Sequence, residues 1–208
     1  PNPDKEFHES WRPGRNLLNF PHPWRGVFLG PPGSGKSTAV KNVLLRADPP
    51  FVHVIVCHCD SEYTKEYDDI NAVMLDHIPS PNEWPGEKKT LVILEDLEFK
   101  CMSKGQKQSL DRLFGYVSTH KNISVALCAQ DAFNVPPCVR RCANLFVLWK
   151  SPDLDSGSMV ARKAGRTAAQ LRRVFDSFTD PKDSIWIDTS DHTPAELRKN
   201  GYQKIILS

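Results

Sequence analysis

The residues Gly30-Pro31-Pro32-Gly33-Ser34-Gly35-Lys36-Ser37-Thr38 have the spacing G-x-x-x-x-G-K-S. That spacing builds a phosphate-binding loop. A glycine-rich turn aims successive backbone N–H groups into one concavity, and the helix that follows adds its unpaired N–H groups and the positive end of its dipole. Gly30 and Gly35 permit the tight path. Lys36 is placed to reach the β- and γ-phosphates of a nucleotide, and the Ser37 hydroxyl to hold Mg²⁺. The flanks agree with this chemistry. Val27-Phe28-Leu29 reads as a buried strand, and Thr38 to Leu45 reads as a helix with Val40, Val43 and Leu44 on one face.

A second set of reactive residues lies about 60 positions on. Thr90-Leu91-Val92-Ile93-Leu94 is an apolar strand that closes on two carboxylates, Glu95 and Asp96. An acid at the end of such a strand fixes Mg²⁺, and a following acid orients the attacking water. Glu95 is assigned to the metal with Ser37, and Asp96 to the water; the reverse assignment also fits the spacing. A third element, Ile123 to Ala129, is a strand that ends at Gln130, whose amide is placed to touch the γ-phosphate or the water.

These three strand ends need a sheet to bring them to one edge, and the rest of the chain supplies it. Phe51 to Cys57 is a near-continuous apolar run, as a strand buried on both faces requires. Leu145 to Trp149 is another. Gln106 to Thr119 reads as a helix with Leu110, Leu113, Phe114 and Val117 on one face. Asp153 to Ala164 and Thr167 to Phe178 read as helices joined at Gly165. Ser184 to Asp188 and Lys204 to Leu207 read as a terminal strand pair. Residues 1–23 form an irregular arm broken by Pro13, Gly14, Pro21 and Pro23, and residues 24–208 form the domain. Trp11, Leu17, Leu18, Phe20 and Trp24 are apolar residues that would pack this arm on the domain or on a neighbouring subunit.

The 208 residues are 39% hydrophobic and 25% charged, which fits one globular α/β domain. No run approaches the roughly 18 apolar residues of a membrane span, and the N-terminus lacks a signal pattern. The expectation is an intracellular protein with no membrane partner. Six cysteines are expected reduced; Cys57, Cys59, Cys138 and Cys142 have spacings that match no zinc motif well. Charge is uneven. Residues 1–99 hold 10 Lys and Arg against 15 Asp and Glu, whereas residues 100–150 hold 8 against 2. The basic segment suits a polyanion, with Lys100, Lys104 and Lys107 as candidates to grip it.

The order of these parts resembles a known family. The acid-ended strand and its helix are followed by Thr119-His120-Lys121-Asn122-Ile123-Ser124-Val125 running to Gln130, then Val135-Pro136-x-x-Val139-Arg140 and an apolar strand. This is similar to the genome-packaging ATPases of the FtsK–HerA superfamily, in particular the poxvirus-like branch of large DNA viruses and their smaller relatives. Ser184 to Asp188 and Ala195 to Asn200 also look like that branch. The resemblance covers roughly residues 24–207. It implies a RecA-like P-loop NTPase of the ASCE type: a mainly parallel central sheet flanked by helices, with the C-terminal strand pair. It further implies a homo-oligomeric ring that hydrolyses ATP with Mg²⁺ and drives double-stranded DNA into a viral capsid through portal components. The place implied is the infected host cell, at the site of virus assembly, and by extension the virion.

The family also implies an arginine supplied in trans to the nucleotide. Relatives often carry Arg-His before Asn-Ile-Ser, where this chain has Thr119-His120-Lys121. Arg140, Arg141 and Arg112 are therefore the candidates, Arg140 first because its segment follows the Gln130 strand end. Three other readings share the loop. A small-molecule or nucleoside kinase needs an acceptor pocket and a lid. A nucleotide-dependent scaffold needs no catalytic acids. A cellular DNA-pumping ATPase of the same superfamily would share the motor itself.

Overall fold

The computed structural model describes residues 20, 22–59, 65–151, 154–190 and 195–207. Among the described residues nine strands form one sheet, in the order β3-β2-β4-β5-β1-β6-β7-β8-β9. They are β1 (Arg25–Leu29), β2 (His53–His58), β3 (Val73–Leu75), β4 (Thr90–Glu95), β5 (Ile123–Ala129), β6 (Leu145–Trp149), β7 (Ser184–Asp188), β8 (Glu196–Lys199) and β9 (Gln203–Ile205). The first six in that spatial order are parallel. β7, β8 and β9 continue the sheet antiparallel.

β5 is inserted between β1 and β4. Every residue of β4 and β5 is buried, which is why both read as unbroken apolar runs. Alternation still sorts their side chains. Phe28, Leu91, Ile93 and Ala126 face one core with Val40 and Val43 of α1 (Lys36–Leu45). Val27, Leu29, Val92, Leu94, Val125 and Leu127 face the other. That second core is covered by α2 (Lys104–Arg112), by the π-helical turn Leu113–Val117 that extends it into α3 (Ser118–His120), and by α4 (Pro137–Cys142), α5 (Leu154–Lys163) and α6 (Ala168–Asp176). Leu110, Leu113, Phe114 and Val117 are all buried, as their spacing predicts.

Two details differ from expectation. The C-terminal strands are not a direct pair: β8 lies between β7 and β9. Its sequence, Glu196-Leu197-Arg198-Lys199, is mostly charged, and only Leu197 turns fully into the core while Glu196 bonds Arg198 and Lys204. A half-exposed ribbon of this kind carries almost no apolar signal. α6 starts one residue later than read, because Thr167 is its N-cap in a reciprocal capping box with Gln170. Of the expected N-terminal arm, residues 1–19 and 21 lie outside the described residues. Phe20 is buried, and its ring stacks on Trp186 at 5.8 Å. No described helix is long and apolar enough to cross a membrane.

Candidate active site

Three strand ends converge because their registers agree. Leu29 of β1 pairs with Ala129 of β5, and Leu94 of β4 pairs with Leu127. Gly30, Glu95 and Gln130 therefore leave the sheet at one edge, where open α/β sheets place ligands.

The loop after β1 is shaped by its glycines. Gly30 donates its N–H to Ala129 O at 3.2 Å. A Cβ at Gly30 would lie 2.7 Å from Ser34 Oγ and 2.9 Å from Trp149 Cβ, so no side chain fits. Gly33 and Gly35 have φ of 72° and 103°, the left-handed region. Gly35 is the N-cap of α1, which has no side-chain cap and no acid in its first turn. Its leading amides are thus left for an external acceptor. Lys36 donates to Gly30 O at 2.8 Å and to Pro31 O at 3.0 Å, holding its ammonium over the loop. Ser34 Oγ is buried with no hydrogen-bond partner.

Facing the loop is Glu95, which is only 5% exposed. Tyr67, from a single 3₁₀ turn (Lys65–Tyr67), donates its hydroxyl to Glu95 Oε1 at 2.6 Å. Burial, and next the Glu95 carboxylate, push the Cys128 thiol well up from its ordinary value. Asp96 follows at φ 47°, an unusual backbone for a non-glycine residue. That turn carries its carboxylate out to solvent, with Oδ2 at 3.7 Å from His58 Nε2. The two acids are thus held differently, one buried and one exposed.

Lys36, Ser37, Thr38, Glu95, Asp96 and Gln130 all line one cavity of about 570 Å³. Among the described residues no cation forms an ion pair with Glu95. A buried carboxylate without a counter-charge is costly, and it sits across from a serine hydroxyl. These are hard oxygen donors, the set that suits Mg²⁺ with a phosphate ligand. The residues present therefore fit the ion, and Ser37 and Glu95 are the two that would hold it.

A second cavity of about 550 Å³ adjoins the first and shares Gly35, Thr38 and Lys182 with it. Thr38 and Asn42 of α1 and its C-cap residue Arg46, each four residues apart, form one wall; Asn200 and the 61% exposed Tyr202 form another.

Arg140 is not among the residues lining either cavity. Its guanidinium is turned to Met159 Sδ of α5, and its carbonyl accepts from Lys163 Nζ at 2.8 Å. Arg141 and Arg112 are exposed. Lys100, Lys104 and Lys107 are exposed on the segment that leaves Asp96 and enters α2. Residues 96–101 of that segment line a further cavity with Gln130 and Asn134. All six cysteines are free, and no metal-binding cluster of His, Cys, Asp and Glu occurs among the described residues. Burial pushes the Cys57 thiol up to about 12, away from ligand chemistry.

Sequence reasoning missed Tyr67, Cys128 and Lys182 as site residues. Tyr67 lies in an acidic stretch with no periodicity, and no local signal marks it. Cys128 was legible as a buried strand residue, and its neighbour Glu95 only through strand pairing.

No family model matches the sequence, and no curated protein matches it. Similar solved structures exist. The genome-packaging NTPase B204 of Sulfolobus turreted icosahedral virus 2, solved with AMPPCP, superposes with a TM-score of 0.59 at 16% identity, over 85% of this chain and 97% of that one. The pCW3 conjugation coupling protein TcpA, with ATPγS, gives 0.58 at 12% identity, over 85% and 59%. The cytoplasmic domain of the type VII secretion ATPase EccC of Thermomonospora curvata gives 0.56 at 10% identity, over 90% and 29%. The chain has the fold of these P-loop NTPases.

Proposed function

We propose that this chain is an ATP-hydrolysing motor of the FtsK–HerA type that moves double-stranded DNA, and that its task is loading a viral genome into a capsid. The observation that carries the reading is the meeting of Lys36, Ser37, Glu95, Asp96 and Gln130 in one cavity. The packaging task is supported by the likeness to B204, which is matched over nearly its whole length. The poxvirus-like branch rests on the motif stretch from Thr119 to Arg140.

In this reading Lys36 and the leading amides of α1 hold the phosphates. Bound Mg²⁺ supplies charge neutralisation at the phosphate oxygens. Ser37 and Glu95 hold that ion, while exposed Asp96 is free to orient water in line with the γ-phosphate. Gln130 contacts the γ-phosphate or the water and reports its presence to the loop that follows β5. The second cavity continues from Thr38 away from Glu95, and it takes the ribose and base, with Tyr202 as the stacking surface. Asp96 and Gln130 stand at the exposed rim, where a neighbouring subunit in a ring would add its arginine. An arginine of this kind contributes roughly 10³–10⁵ in rate. Of the three candidates, Arg140 is engaged within its own protomer, whereas Arg141 and Arg112 are exposed; alanine variants mixed with Lys36→Ala subunits would identify the donor. Lys100, Lys104 and Lys107 grip the DNA backbone without regard to sequence, a salt-sensitive contact. They are joined to the catalytic edge by residues 96–103.

The test is ATP hydrolysis with and without double-stranded DNA, for the native chain and Lys36→Ala, over a range of protein concentrations. Activity that rises faster than linearly with concentration, is stimulated by DNA and vanishes in Lys36→Ala supports the motor. Activity linear in concentration and indifferent to DNA overturns it. Transfer of phosphate to an organic acceptor instead of water would establish a kinase.

A further inference from the structure

Tyr67 is an aromatic residue only 2% exposed and packed in the core with Val40, Val43 and Leu91, yet its polar end reaches Glu95, which lines the nucleotide cavity. Its hydroxyl donates to Glu95 Oε1 at 2.6 Å. Burial, and next the neighbouring Cys128 and Glu95, push the phenol up from its ordinary value, so it stays a protonated donor. The phenol thus holds one of the two groups assigned to the metal. Its ring is held in place from α1: Lys41 Nζ lies 5.6 Å from the ring centroid and bonds Asp69 Oδ1 at 2.6 Å, two residues beyond Tyr67. Lys41 is one helical turn after Ser37, so the ring is tied to the helix that carries the other group assigned to the metal.

The chemistry of this arrangement is directional. A phenol O–H given to Oε1 occupies one carboxylate oxygen and leaves Oε2 for another partner. We infer that Tyr67 is a positioning residue of the metal–nucleotide site, whose hydroxyl fixes Glu95 in the orientation that receives the cation. Partners of this kind, one bond removed from a metal, typically change affinity or activity 10- to 100-fold when lost. Nothing about a packing role would require the hydroxyl: a phenylalanine fills the same volume.

The inference rests on the proposed reading of the cavity, and the experiment separates the two. Mn²⁺ binding is measured by electron paramagnetic resonance in the presence of ADP, for the native chain, Tyr67→Phe and Lys36→Ala, alongside binding of ADP in EDTA and thermal unfolding. The expected result for Tyr67→Phe is a 10- to 100-fold weaker Mn²⁺ affinity, with metal-free ADP binding and the melting temperature close to native. Hydrolysis should show a matching rise in the Mg²⁺ concentration needed for half activity, and excess Mg²⁺ should restore most of kcat. Native Mn²⁺ affinity in Tyr67→Phe overturns the positioning role while leaving the nucleotide site intact. A native chain that binds no ADP, or binds it as well as Lys36→Ala does, overturns the site itself and the role of Tyr67 with it.

Discussion

Gly30 and Gln130 leave the sheet side by side, tied by the hydrogen bond from Gly30 N–H to Ala129 O at 3.2 Å. The residue that starts the phosphate loop and the residue that would sense the γ-phosphate are thus set by one backbone contact between β1 and β5. Gln130 itself is exposed and lines the cavity. Replacing it with alanine should leave the sheet and nucleotide affinity unchanged and lower kcat roughly 10²-fold, the usual cost of one transition-state donor. Binding of a slowly hydrolysed ATP analogue and single-turnover hydrolysis check the two halves. A variant that loses affinity and rate together would mean that Gln130 acts in ground-state binding.

The two adjoining cavities predict a separation of phosphate from nucleoside recognition. Tyr202 is 61% exposed at the wall of the second cavity and does not line the first. Tyr202→Ala should weaken ATP about 10-fold, in the range that base–aromatic stacking contributes, and leave inorganic tripolyphosphate unaffected. Lys36→Ala should weaken both. Competition against a fluorescent nucleotide measures the ratio, and an unchanged ratio of ATP to tripolyphosphate affinity in Tyr202→Ala places the base elsewhere.

The contrast between Glu95 and Tyr67 shows what a linear sequence carries. Glu95, Lys36 and Gln130 are legible because each is the end of a local pattern, an apolar strand or a glycine loop, and the pattern dictates where the end points. Tyr67 has no such pattern: it reaches the site from a three-residue turn, and its partner is 28 positions away. β8 was missed for a related reason, since its single fully buried Leu197 gives no alternation to read. Arg140 was legible as part of a short helix after proline, and α4 is there. The direction of its side chain depends on Met159, which only tertiary packing brings near.

Gly30 makes a sharp prediction about the loop because a side chain there meets Ser34 Oγ and Trp149 Cβ below 3 Å. Gly30→Ala should destabilise the domain by about 1–3 kcal/mol, the cost of forcing atoms into a packed site, and also reduce nucleotide binding. Gly33→Ala meets open space but keeps a φ of 72°, so its cost should be near 1 kcal/mol. Urea unfolding midpoints for the two variants give the order. Equal midpoints would show that the loop relaxes freely around a new Cβ at Gly30.

His22 sets the response of stability to acid. Its ring bonds Ser124 Oγ at 2.7 Å and Asn122 O at 3.0 Å, tying the entry to β1 onto β5. Burial, with Lys89 nearby, lowers its pKa from 6.5 to about 4. The folded state therefore resists a proton that the unfolded chain accepts. The resulting stability is fully present above pH 6.5 and is lost as pH falls through 6.5 toward 4. The separation of the two values corresponds to about 3 kcal/mol at its limit. A chain with His22→Asn should start less stable at pH 7.5, because one of the two bonds is lost. It should then lose about 3 kcal/mol less than the native chain between pH 6.5 and 4. Urea titrations at half-unit pH steps give both curves. Parallel curves would assign the acid sensitivity to carboxylates such as Asp183, which Lys199 and Asn200 hold below its ordinary value against the opposing effect of burial, and would remove His22 from the account.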